Sequence, residues 1–148
     1  MKPKINASLS YKEGNFIIRC MCTHDVTSYA DKMSDTPSQR EALKKQMLEI
    51  LKQIEEDEEG CNYYFTVLYD GLFYGAINTT SRNIIGTKGN VFFYLPTSPE
   101  FAEMNKTAVK AFISLCKENH IYDEELHIMF SENGSNQKFV INMESSQD

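Results

Sequence analysis

The sequence predicts an α+β domain, an antiparallel sheet with two helices on one face. Three observations carry that expectation. Two stretches place apolar residues at helical intervals. Several shorter ones alternate apolar and polar residues, or run apolar between turn signals. The order strand, helix, strand, strand also occurs twice, from Phe16 and again from Val91.

Taken in order, Ile5, Ala7, Leu9 and Tyr11 alternate with polar residues and predict a strand. Lys12-Glu13-Gly14-Asn15 predicts a turn, and Phe16 to Thr23 the returning strand, with Phe16, Ile18, Cys20 and Cys22 on one side. Asp25 to Asp35 reads as polar and irregular. Thr36-Pro37-Ser38-Gln39 then opens a helix: Thr36 caps, Pro37 suits the first position and Gln39 has capping-box spacing. Leu43, Met47, Ile50, Leu51 and Ile54 give that helix its apolar face, and Gly60 is the expected stop. Cys61 to Tyr69 and Leu72 to Asn78 form a hairpin about Asp70-Gly71. Thr79 to Asn90 is a polar loop, and Val91 to Leu95 a short strand. Pro99 to Asn119 is the second helix, with Phe101, Met104, Ala108, Ala111, Phe112, Leu115 and Cys116 on one side. Leu126 to Phe130 and Lys138 to Met143 close the chain as strands about Asn133-Gly134. The expectation is one domain over residues 1–148, a tandem β-α-β-β duplication (residues 16–78 and 91–143) with an extra N-terminal strand and a frayed tail from 144 to 148.

This layout resembles the gyrase-inhibitor-like ligand-binding domains, which pair two β-α-β-β units around a small-molecule cleft. It also resembles the start of a longin or profilin-like domain, a scaffold for protein contacts. Both resemblances rest on element order and carry no functional residue.

Composition narrows the function classes. The 148 residues are 41% hydrophobic and 24% charged, as in an ordinary globular domain. Fifteen basic against 21 acidic residues give a net charge of −6, which argues against phosphate-driven nucleic-acid binding and favours a partner with a basic surface. No apolar run approaches a membrane span, and the first residues lack the apolar stretch of a secretory signal, so a cytoplasmic location is expected. Cys20, Cys22, Cys61 and Cys116 are read as reduced.

No catalytic constellation stands out. In a straight strand Cys20 and His24 lie roughly 13 Å apart, too far to share a metal ion. Cys116 and His120 are four apart on one helix, but an apolar setting raises a thiol's pKa instead of activating it. No metal ligand set, cofactor motif or G-x-S-x-G signature is recognisable. Two features remain as sites. The 79–90 loop is about twice the usual connection length, and Arg82, Asn83, Thr87, Lys88 and Asn90 offer it cations and hydrogen bonds for an anionic or nucleotide-like ligand. The run Glu55, Glu56, Asp57, Glu58 and Glu59, at the negative pole of its helix, together with Tyr64 on the aromatic hairpin, suits a basic protein partner. The resulting expectation is a non-catalytic acidic binding module, an inhibitor of the immunity, antitoxin or anti-defence type. The alternative is a domain that sequesters a small ligand in the 79–90 loop. Self-association is left open.

Overall fold

The computed structural model describes residues 5–57, 60–132 and 135–143. Seven strands form one sheet, and their spatial order is their order in the sequence. The first two, β1 (Ser10–Glu13) and β2 (Phe16–Cys20), make the expected hairpin; the helices α1 (Val26–Met33) and α2 (Pro37–Glu56) follow. Next come β3 (Asn62–Tyr69), β4 (Leu72–Ser81) and β5 (Lys88–Tyr94), then α3 (Ala102–Asn119), β6 (Glu125–Glu132) and β7 (Ser135–Asn142). Neighbouring strands are antiparallel except β5 and β6, which run parallel from Lys88 beside Glu125 to Phe93 beside Phe130.

Local chemistry sets the element ends. Asp70 and Gly71 both adopt positive φ, 51° and 79°, the conformation a two-residue hairpin needs. At α2 the Thr36 hydroxyl accepts from the Gln39 N–H at 3.1 Å, and the Gln39 side chain accepts from the Asp35 N–H at 2.9 Å. The sequence stripe Cys20-Cys22-His24 does not stay in one strand. The chain leaves the sheet after Cys20 and enters a 3₁₀ turn, Thr23–Asp25, that leaves His24 exposed. Buried Asp25 holds that turn to the sheet. Its carboxylate accepts two bonds from Arg19, at 2.6 and 2.8 Å, and further ones from the Thr66 hydroxyl and the Cys22 N–H. Burial pushes the Asp25 carboxyl up, but these donors outweigh it and hold it below the usual carboxylate range.

The expected arrangement of two helices on one face, and with it the tandem duplication, is overturned. Among the described residues there are three α-helices, on two faces of the sheet. Phe65, Ile77, Val91, Phe93, Leu126 and Ile128 point to one side and pack with Ala108, Ala111, Phe112, Leu115 and Cys116 of α3. Tyr64, Ala76 and Tyr94 point to the other and pack with Val26 and Tyr29 of α1 and with Met47 of α2. The physical reason is helix count. Two consecutive helices return the chain to the end of the sheet it left, so β3 lies antiparallel to β2. A single helix carries it across, so β6 lies parallel to β5. The two strand–helix–strand units therefore differ in sense and cannot be copies of one motif. The Asn133-Gly134 turn, Glu58 and Glu59, and the 144–148 tail lie outside the described residues.

Candidate functional site

A parallel pair with its crossover helix has two unlike ends, and open sheets bind ligands outside the carboxyl ends of such strands. In this protein that end comprises Phe93 and Tyr94 of β5, Phe130 of β6, the connection from Leu95 to Ser98, and the start of α3. A groove of about 410 Å³ begins beside this end, at Phe130 and the start of α3, and extends between the first half of α3 and the β6–β7 hairpin past Ile128 to Ile141; among the described residues none of β5 lines it. Val109, Ile128, Phe130, Phe139 and Ile141 make it apolar, and Lys106 and Lys110 line it from the helix. Phe130 and Phe139 stack with ring centroids 5.6 Å apart.

Beside the groove, the buried Asn105 side chain fixes the connection. It donates to the Pro96 carbonyl at 2.7 Å and accepts from the Tyr74 hydroxyl. Burial pushes the Tyr74 phenol up to about 12, so it stays a proton donor at neutral pH. The start of α3 is a 3₁₀ turn, Pro99–Phe101. Pro99 has no N–H, and the N–H groups of Phe101 and Ala102 are already bonded to the carbonyls of Ser98 and Pro99. Glu100 and Glu103 add two carboxylates to the first turn.

The sequence-marked loop sits at the opposite, amino end of the pair. β4 runs on to Ser81 and β5 begins at Lys88, so the true loop is 82–87. Arg82 donates to the Asn90 side chain at 2.8 Å, and Lys88 lies 3.4 Å from the Glu124 carboxylate. The Asn83 side-chain oxygen accepts from the N–H groups of Thr87 and Lys88, at 3.1 and 3.2 Å, and the Thr87 hydroxyl donates to Glu124 at 2.8 Å. The five expected ligand residues are thus brought together, bonded to one another and to Glu124. A cavity of about 370 Å³ adjoins them, lined among others by Ile5, Tyr63, Ile85, His120 and Tyr122.

The described members of the expected partner set lie on different elements. Glu55 and Glu56 are exposed in the last turn of α2, and Asp57 caps that helix and accepts from the Cys61 N–H at 3.1 Å. Tyr64 sits on the face covered by α1, edge-on to Tyr29 with ring centroids 6.4 Å apart. No disulfide joins any two of the four cysteines, and burial pushes the Cys20 thiol up to about 11. Among the described residues no cluster of His, Cys, Asp and Glu could hold a metal ion, and no helix is long and apolar enough to cross a membrane. Sequence reasoning missed the groove because it is assembled from α3, β6 and β7 and carries no motif. Only the apolar 139–141 stretch signalled it.

No family model and no curated protein sequence matches the chain. Solved structures do. FdhC, described as a nucleotide-linked sugar GNAT, is 11% identical and superposes with a TM-score of 0.63 over 93% of this chain and 92% of its own. The ribosomal-protein-S5-alanine acetyltransferase from Vibrio fischeri is 13% identical, with a TM-score of 0.58 over 82% of this chain and 73% of its own. RimL, a ribosomal L7/L12 alpha-N-protein acetyltransferase solved in complex with coenzyme A, is 10% identical, with a TM-score of 0.58 over 82% and 74%. Identities this low establish the fold alone. The neighbours that share the fold are acetyltransferases, and that finding runs against the reading of the chain as a non-catalytic binding module, inhibitor or ligand-sequestering domain and against the expectation that it is not an enzyme. The seven-stranded sheet with one parallel pair, α3 on one face and α1 and α2 on the other, is the fold of the acetyltransferases.

Proposed function

We propose that the chain catalyses acyl transfer from a thioester to an amine or hydroxyl acceptor. The acyl carbon–sulfur bond breaks, a bond from that carbon to the acceptor's nitrogen or oxygen forms, and the thiol departs with the acceptor's proton. The observation that carries this reading is the apolar groove of about 410 Å³ at the carboxyl end of the β5–β6 pair. It reaches the carboxyl end of that pair at Phe130 and the start of α3, in a fold shared with acetyltransferases. Its apolar walls keep water from a bound thioester, and Asn105, through Pro96, holds the adjoining connection in place.

Coenzyme A, present in the RimL complex, joins a thiol arm to a nucleotide diphosphate. A diphosphate at a helix N-terminus needs free N–H groups and no competing negative charge. The start of α3 offers Pro99, two N–H groups already bonded, and the carboxylates of Glu100 and Glu103. These residues do not fit the diphosphate. The donor they suit is a shorter thioester of the acyl-pantetheine kind.

The test is acceptor-dependent thiol release, followed with a thiol-reactive dye. Acetyl and octanoyl thioesters of pantetheine and of coenzyme A are offered with a polyamine, an amino sugar and a peptide bearing a free N-terminus. Release from a pantetheine thioester, at least as fast as from the matching coenzyme A thioester, is the expected result. If no thioester releases thiol with any of these acceptors, the proposal fails.

A further inference from the structure

The groove has more room than an acetyl group would fill. Its volume of about 410 Å³ falls in the range of pockets that enclose whole small molecules. Its lining is aliphatic and aromatic along its length: Val109 on α3, Ile128 and Phe130 on β6, Phe139 and Ile141 on β7. Phe139 remains 47% exposed although its ring stacks on Phe130. β7 is the last strand of the sheet, so this apolar surface lies on an edge, where uncovered hydrophobic side chains carry an aggregation cost.

Charge selects the occupant. Lys106 and Lys110 stand four residues apart on α3 and both line the groove. Lys106 also meets Glu103 at 3.2 Å. Among the described residues no carboxylate lines the groove, in a protein whose net charge is −6. An apolar groove with two lysines in its wall matches a single alkyl chain with an anionic or strongly dipolar carbonyl head.

We infer that this groove takes a medium-chain acyl group, its chain along Val109, Ile128, Phe130 and Phe139 and its carboxylate or thioester head toward Lys106 and Lys110. This rests on the acyl-transfer reading for the donor, and names the class of acyl group that the same site takes. Binding of the free carboxylate is separable from turnover.

Titration calorimetry with acetate, octanoate, decanoate and dodecanoate, each below its micelle concentration, measures the binding directly. Each methylene buried in the groove should tighten binding about fourfold. Phe139→Asp, at a half-exposed position, should abolish dodecanoate binding while leaving the circular dichroism melt cooperative. Lys110→Glu should weaken dodecanoate and leave dodecanol unchanged. Chain-length-independent binding, no binding by any of the carboxylates, or dodecanoate affinity unaltered by Phe139→Asp overturns the inference. A ladder in carboxylate binding with no thiol release from any thioester would sink the transfer reading and leave the groove's ligand class standing. Thiol release without the ladder would do the reverse.

Discussion

The two ends of the β5–β6 pair are built in opposite ways. At the amino end, Arg82, Asn83, Thr87, Lys88 and Asn90 spend their polar atoms on one another and on Glu124. At the carboxyl end, one buried amide, Asn105, secures the connection, and the space beside it is apolar and open. Polar density in a sequence therefore marked the end that is already bonded within itself. A rigid 82–87 turn fixes where β5 begins, and through the parallel register where β6 lies beside it. Whether that register also shapes the groove beside the far end is a question an experiment at Asn83 answers.

The comparison breaks most severely if the helix between the two ends is loosened. Phe112 is fully buried and packs edge-on to Phe65 and Phe93, with ring centroids at 5.4 and 5.8 Å. Phe112→Ala should cost about 3–5 kcal/mol. Urea unfolding would read that loss, and dodecanoate binding should fall with it, because α3 is one wall of the groove. A loss under about 1 kcal/mol would show that α3 is not anchored at this point.

A smaller effect separates the ends, because each carries a glycine under close approach. At Gly75 a Cβ would lie 2.5 Å from the Tyr94 carbonyl oxygen and 3.3 Å from the Leu95 Cα, both backbone atoms. At Gly89 it would lie 2.6–2.8 Å from the Tyr122 ring. A buried ring can tilt, although this one also donates from its hydroxyl to Thr79 at 3.0 Å. Backbone in a ladder yields less. Gly75→Ala should therefore cost about 1–3 kcal/mol by overpacking, and Gly89→Ala less. Their midpoints in denaturant check the order. The reverse order would mean that the carboxyl end is the more compliant of the two.

How much of this was legible depends on one missed helix. Several elements were readable: the cap at Thr36, the Asp70-Gly71 turn and the apolar face of α3 stand where the pattern places them, whereas the first hairpin exists but its first strand is Ser10–Glu13, not the alternating stretch from Ile5 to Tyr11, and its second ends at Cys20. Val26, Tyr29, Ala30 and Met33 also have the spacing i, i+3, i+4, i+7 of an amphipathic helix, but the polar residues between them read as irregular chain. Counting that helix changes the sense of the next strand, and with it which faces are covered and which strand pair is parallel. The groove was not legible because no pattern within α3 or β7 shows that the two are separated by space. The loop's chemistry was readable residue by residue; its saturation was not, since Glu124 comes from 37 residues away along the chain.

The closed end can also be unlocked without touching the core. The Asn83 side-chain oxygen accepts from two backbone N–H groups, those of Thr87 and Lys88. The site is part-buried, so water replaces those bonds only in part. Asn83→Ala should cost about 1–2 kcal/mol. Asn83→Asp, which keeps an acceptor at the same place, should recover most of it. The same variant also reports on strand register. If the 82–87 turn positions β5 and β6, amide exchange in Asn83→Ala should quicken at Lys88, Gly89 and Asn90, and dodecanoate affinity at the far end should drop. If exchange quickens there and binding does not change, the two ends are independent, and the groove owes its shape to α3 alone.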